Sequence, residues 1–428
     1  MIRENLAQAI TWRRLLHRYP QPSWLEFFAT AFIAEKLVGW GYKIKQGREI
    51  IKEERQLLPP DEDTLKREYQ KALKAGAREE FLEKAQGGFT GVVAELQGTL
   101  PGPVVAFRFD IDSNELTEAA DKNHRPAREG FRSENPGYAH MCGHDAHMAA
   151  GLLLAQYFAG RKEKLKGKIK FIFQPNEENL SGAAAMVDQG ILDDVDVLLG
   201  GHMGVALKKL GQICFNVHSF MALTRFEVAM TGRPSHAALR PDEGKNAMLG
   251  ACAAVTNLYA IARHGLGASR INVGRLEAGS TWNIIPDRAY FRMETRGVLN
   301  EINDYMVAKA KDVLQGAAAM YDLDLEIKPA AVALSAKNSP ELIELAGKIA
   351  KDVPSITEVV PDAPFNASED VTLMMESVQL HGGKAMFVLF GTPIGGGHHN
   401  AAFDLDENVI ANAAEFMAKM HEALTAPG

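Results

Sequence analysis

The sequence predicts an α/β protein: a mostly parallel sheet with helices on both faces, interrupted by a smaller inserted domain. Three observations carry this. The chain has 428 residues, too many for one compact core. From residue 87 to 219 short apolar runs alternate with helical stretches of about 10–15 residues, the rhythm of parallel strands joined by crossover helices. Between 220 and 334 the rhythm changes to strand, helix, strand, strand, helix, strand, the ferredoxin-like βαββαβ order.

The elements follow in order. Leu6, Ile10, Trp12, Leu15 and Leu16 recur near helical spacing, and Pro20 to Pro22 end that first helix. A second helix, "SWLEFFATAFIAEKLVGWG", stops at Gly39 to Gly41. Residues 47–86 are charged and split by Pro59-Pro60; their second half predicts a polar helix with little core face, an insertion resembling a cap. "GVVAEL" and "PVVAFRFDID" predict apolar strands, "HMAAGLLLAQYFAG" a buried helix, "GKIKFIFQPNEE" a strand, "SGAAAMVDQGIL" a helix and "DVDVLLGGHM" a strand. After the 220–334 insertion come "SPELIELAGKIAKDV" (helix), "TEVVPDAPF" (strand-like), "EDVTLMMESVQLHG" (helix), "KAMFVLFGT" (strand) and a final helix. The main domain is therefore expected at 1–219 and 335–428.

Bulk properties narrow the partners. A net charge of −7 argues against nucleic acid and anionic membranes, and "KEKLKGKIK" (162–170) is expected to be a solvated helix end. No apolar run approaches the roughly 20 residues that span a bilayer, and the N-terminus lacks a signal-peptide pattern. Cys142, Cys214 and Cys252 are too few and scattered for a disulfide framework. A cytoplasmic location is the expectation.

Chemistry concentrates in four places. "YAHMCGHDAHM" (138–148) packs His140, Cys142, His144, Asp145 and His147 together. "QPNEE" places Glu177 and Glu178 at a strand end, His202 ends the next strand, and "GGGHHN" supplies His398 and His399. Asp110 and Asp112 close a further strand. Ligands of open α/β sheets sit beyond the carboxyl ends of the strands, where these groups converge. Thiolate, imidazole and carboxylate together suit zinc or manganese, and two nearby ions are compatible with one bridging group. Adjacent glutamates at a strand end are expected to point to opposite sides, one ligating while the other takes a proton from attacking water. The glycines of "IGGGHH" predict a loop needing close backbone approach, since no lysine and helix follow as in a phosphate cradle.

"HMCGHDAH", "FQPNEE", "GGHMG", "TGRPSHAA" and "GHHNAAFD", in this order around an inserted domain, resemble the M20 metallopeptidases. The similarity is greatest to the branch of aminoacylases, hippurate hydrolases and indoleacetyl-amino-acid hydrolases. It runs from about Arg13 to the final helix. The 47–86 insertion followed by "GGFTG" is similar to the subgroup formed by the A subunits of p-aminobenzoyl-glutamate hydrolases.

The resemblance implies roles by position. Cys142 bridges two divalent ions, Mn2+ or Zn2+; His144 and His202 complete one site, Glu178 and His399 the other. His399 is chosen over His398 because it lies four residues before Phe403, leaving His398 to pack. Glu177 is the general base and Asp112 supports the centre. His147 has no clear ligand role, and Asp145 is expected to cap a helix. The inserted domain mediates dimerisation and forms a lid, and His236 stabilises the oxyanion, in its own or a neighbouring subunit's site. Asn283 and Arg296 hold the substrate carboxylate. The implied activity is hydrolysis of N-acyl amino acids, foremost aroyl-glutamates such as p-aminobenzoyl-glutamate. The alternatives are a general aminoacylase, hippurate hydrolase or dipeptidase, and a non-catalytic metal-binding subunit. The implied partner is a second identical chain or a paralogous subunit. Two positions depart from the family pattern: Asn176, expected to be a minor change, and Trp282, suited to stack on an aromatic acyl group.

Overall fold

The structure, a computed structural model, describes residues 2–426. Two compact units divide the chain: Met1–His218 with Ala336–Phe365 and Asp370–Gly428, and Ser219–Ser335 with Asn366–Glu369.

The first unit is built on an eight-stranded sheet. Its order is Lys43–Lys45, Val92–Gln97, Lys166–Gln174, Leu100–Asp110, Val197–Met203, Lys384–Phe390, Gln212–Cys214 and Glu358–Val359. The four middle strands run parallel, as the alternating pattern predicts; antiparallel pairs join the flanking strands to them. These middle strands are apolar along nearly their whole length because both sheet faces are covered. Phe107, Phe109, Phe171 and Phe173 face a layer that includes the helices Leu6–Arg18, His144–Ala159 and Asn408–Leu424. Alternate positions such as Ala106, Ile172 and Leu198 face the other way, where Gly182–Asp188 and Val371–Leu380 pack. The His144–Ala159 helix is buried on almost every side. A Cβ at its Gly151 would come within 2.7 Å of Phe109 and 2.8 Å of Phe173, so only glycine lets the helix lie this close to the sheet.

The charged 47–86 segment departs from expectation. Its helix, Glu62–Lys74, is capped by Asp61, which accepts from the Thr64 N–H at 2.8 Å. It is not a helix without a core face: Leu65, Tyr69, Ala72 and Leu73 join the main hydrophobic core. Their i, i+4, i+7, i+8 spacing is an apolar stripe, hidden in the sequence by the charges on the opposite side.

The second unit is a four-stranded antiparallel sheet in the order Asp324–Ala333, Ala222–Thr231, Arg288–Gly297, Ser269–Ala278. Helices Ala247–Tyr259 and Asn300–Met320 pack on it over Val228, Phe291, Ala251, Ala254, Met306 and Leu314. The strand order fourth, first, third, second is that of the ferredoxin-like fold. Ser269–Ala278 is an edge strand ten residues long.

Candidate metal centre

All side chains of the centre lie at the carboxyl edge of the four parallel strands. Cys142 precedes the His144–Ala159 helix through Gly143, whose φ of +91° takes a left-handed turn. His202 is the penultimate residue of Val197–Met203. The strand Lys166–Gln174 stops before the two glutamates, which occupy a turn after Asn176, with φ at +54°. Asparagine tolerates that conformation better than most residues. The Asn176 N–H donates to Glu26 at 2.8 Å and its amide to Ser181 at 2.6 Å. The residue expected to be a minor departure therefore shapes the turn. His399, also left-handed at +55°, donates its N–H to the Met141 carbonyl at 2.8 Å, tying the glycine-rich loop to the Cys142 loop.

The five residues expected as ligands fall into two groups that share one thiol. Cys142, His144 and His202 place ligand atoms within 4.8 Å of one another, and so do Cys142, Glu178 and His399. Cys142 Sγ lies 3.4 Å from His202 Nε2, and His399 Nε2 lies 3.3 Å from Glu178. The histidines present the right nitrogens. His144 Nδ1 donates to the Asp112 carbonyl at 2.9 Å and His202 Nδ1 to the Met203 carbonyl at 3.0 Å, which leaves both Nε2 atoms bare.

This donor set fits divalent cations. His144 Nε2 and Glu178 Oε1 are buried with no hydrogen-bond partner, a costly arrangement unless something charged sits between them. Burial, then the Glu178 charge, pushes the Cys142 thiol up, so a thiolate there calls for nearby positive charge. Bonds to Cys142 and Glu178 raise His399 to about 10.

The two glutamates do not diverge. Glu177 and Glu178 approach the same His144 Nε2, at 3.8 and 3.9 Å, because they sit in a turn and not on a pleated strand. Of the two, only Glu178 belongs to the Cys142 and His399 group. Asp112 is fully buried, accepts the Glu178 N–H at 2.9 Å and lies 3.3 Å from His144 Nδ1. His398 packs between His202 and Phe403, with ring centroids 5.3 and 5.1 Å away, and its Nδ1 is 3.6 Å from Cys142 Sγ.

Asp145 does not cap its helix, whose N-cap Gly143 makes no side-chain bond. It instead accepts from Arg13 Nε at 2.6 Å and lies 2.8 Å from His17 Nδ1. Arg13 is fully buried and also reaches Asp404 at 2.9 Å and Glu407 at 3.2 Å. Nothing local marks this hub, because its partners lie 132 to 394 residues away. Burial alone would lower the His17 pKa, but Asp145 and Glu118 on its two nitrogens raise it to about 9. A raised histidine stabilises the fold fully below its unfolded value of 6.5 and loses that contribution as pH rises through 9. In urea unfolding with chelator present, the wild type is expected to exceed His17→Gln in stability most at pH 6 and least at pH 10. A difference that stays flat across that range would refute the charged His17.

In the second unit, His236 Nδ1 accepts from the N–H groups of Ala238 and Leu239, each at 3.2 Å, so its Nε2 carries the proton. The Ala237 N–H donates to the Asn283 carbonyl at 3.0 Å, which joins the His236 and Asn283 loops. Trp282 is fully exposed beside them. Arg296 stands apart: it is near the far end of Arg288–Gly297, eight residues or about 26 Å of strand beyond Arg288, the end that the Asn283 loop leads into. Its Nε donates to Glu294 at 2.7 Å. Within one chain, Asn283 and Arg296 are not brought together.

Residues 106–423 match Peptidase family M20/M25/M40. The chain belongs to that family. It is 43% identical to the indole-3-acetyl-aspartic acid hydrolase of Enterobacter agglomerans, over 97% of this chain and 96% of the relative. It is likewise 43% identical to one of the subunits of the p-aminobenzoyl-glutamate hydrolase of Escherichia coli K12, covering 95% of this chain and 94% of that one. Among solved structures, an aminobenzoyl-glutamate utilization protein from Klebsiella pneumoniae superposes with a TM-score of 0.84 at 36% identity, covering 99% of this chain and 96% of that one. A Bacillus subtilis protein described as a dinuclear metal binding peptidase from M20 family gives 0.67 at 26%, covering 98% of each. This M20 chain has no helix, among the described residues, long and apolar enough to cross a membrane.

Proposed function

We propose that this chain hydrolyses the amide bond of N-acyl amino acids, foremost aroyl-glutamates such as p-aminobenzoyl-glutamate. One observation carries the reading: donors of two metal sites meet at a single thiol, with Glu177 beside them. The near full-length relatives named for indoleacetyl-aspartate and aminobenzoyl-glutamate hydrolysis support an aromatic acyl group on an acidic amino acid.

In this reading His144 and His202 would hold one ion and Glu178 and His399 the other, with the Cys142 thiolate available to both. When bound, two Mn2+ or Zn2+ ions supply Lewis acidity to water and to the scissile carbonyl. Glu177 takes the proton of the attacking water and returns it to the leaving amine. His236, protonated at Nε2, donates to the developing oxyanion. Asn283 and Arg296 hold the substrate carboxylate, and Trp282 offers its face to the acyl ring.

The separation of Asn283 from Arg296 favours a site shared between two copies of the chain, one giving His236 and Asn283, the other Arg296. The ten-residue edge strand Ser269–Ala278 offers backbone groups for such pairing. The second unit then serves as dimerisation and lid domain. Three free cysteines support a reducing, cytoplasmic location.

The test is a substrate panel. Protein loaded with Mn2+ or Zn2+ is offered p-aminobenzoyl-glutamate, hippurate and a dipeptide, with chelator controls. Preferential cleavage of the aroyl-glutamate, lost on chelation and restored by metal, is expected. Metal binding without cleavage of any amide would overturn the reading in favour of a non-catalytic subunit. Mixing His236→Ala with Cys142→Ala protein restores activity only if the site is shared.

A further inference from the structure

His147 is the one histidine of "CGHDAH" with no place in either ligand group that contains Cys142. It lies one helical turn beyond His144, facing the strand that carries His202. Its bonds fix its chemistry. The Met203 N–H can only donate, and it donates to His147 Nε2 at 3.2 Å. His147 Nδ1 lies 2.6 Å from Asp110 Oδ1, so the proton sits on Nδ1 and the carboxylate accepts it. Asp110 is in turn held by Arg108, whose guanidinium donates to Oδ2 at 2.8 Å. All three side chains are buried.

The far side of Met203 completes the connection. Its carbonyl accepts from His202 Nδ1 at 3.0 Å, so one residue takes the support of His147 on its nitrogen and steers the His202 ring with its oxygen. The His147 and His202 rings also meet edge-on, with centroids 4.7 Å apart and planes at 83°. His202 Nε2, at the end of this path, points to Cys142 Sγ.

We propose that Asp110 and His147 form a positioning pair for the metal centre: Asp110 selects the His147 tautomer, and His147 holds the Met203 peptide that aims His202 at its ion. Neither residue is a ligand in this assignment. A third ion among Asp110, His144 and His147, whose atoms are also close, is disfavoured because Arg108 and the Asp110–His147 bond already occupy the carboxylate. The proposal rests on the dinuclear reading above, and the test separates the two.

The apoprotein is titrated with Co2+, following both affinity and the visible absorption of the bound ion. The wild type takes up two ions. In His147→Leu, affinity for one of the two falls about 10- to 100-fold, the scale of losing a group that orients a ligand. The absorption of that ion changes while the other stays near wild type. His147→Gln, whose amide oxygen can still accept from Met203, recovers part of the loss. Asp110→Asn keeps the shape of the site, serves if His147→Leu does not fold, and shows a smaller loss at the same ion. Two ions bound with wild-type affinity and spectrum in the folded variants, with only thermal stability reduced, would overturn the proposal alone. A wild type that binds fewer than two ions would overturn the dinuclear reading and this pair with it.

Discussion

Replacing Glu177 with glutamine is expected to lower kcat on the aroyl-glutamate by about 10²- to 10⁴-fold, the usual share of a positioned general base. Glutamine keeps the shape of the turn that Asn176 and Glu26 hold, and it keeps a carbonyl oxygen near His144. It cannot accept and return a proton. Because Glu177 stands outside the two groups that share Cys142, metal stoichiometry in Glu177→Gln stays at the wild-type value. KM changes little, since the residue acts on the water and not on the substrate's recognition groups. Retention of more than about a tenth of the turnover would assign the proton to another group. Loss of an ion would make Glu177 a ligand.

Arg13→Leu is expected to cost about 3–5 kcal/mol of unfolding free energy, the range for breaking a buried ion pair from one side. The cost depends on which carboxylates are left without a partner. Asp145 is fully buried and keeps only His17, whereas Asp404 and Glu407 retain Arg125, and Glu407 also Arg14. The loss therefore falls mainly on Asp145, the neighbour of His144, and towards the lower end of that range. Arg13→Lys recovers little, because one ammonium cannot span three carboxylates as the guanidinium does. Urea unfolding of the metal-free protein measures both variants. A loss below about 1 kcal/mol in Arg13→Leu would mean that solvent or His17 satisfies Asp145.

What could be read from the sequence divides along a physical line. Cys142, His144, His202, Glu178 and His399 stood out because ligand chemistry is rare and strand ends are easy to place from apolar runs. Their convergence follows from four parallel strands ending at one edge. The ferredoxin-like insertion was legible for the same reason, as a sequence of periodicities. Features decided by distant partners were not. Asp145 looks like a helix cap until an arginine 132 residues away takes it. The direction of Glu177 depends on a strand ending at Gln174 and a left-handed Asn176, and residue alternation does not reveal either. His147 carries no outward sign of its job, since its partners are a strand carboxylate and a backbone N–H. The stripe of Leu65, Tyr69, Ala72 and Leu73 could have been found; counting it at helical spacing would have placed the 62–74 helix on the core.

The Arg13 hub also bears on how the chain is made. It bonds a helix at the beginning of the chain to Glu407, 394 positions later. The inserted unit has all its strands and helices between 222 and 333 and can complete its own core while the rest is still emerging. The first unit cannot: Asp145 is the earliest of the three carboxylates Arg13 bonds, and the other two, Asp404 and Glu407, arrive only with the segment carrying His399. Loop closure over that span is slow. The Arg13 ion pairs thus tie the completion of this unit to a segment synthesised after the inserted one.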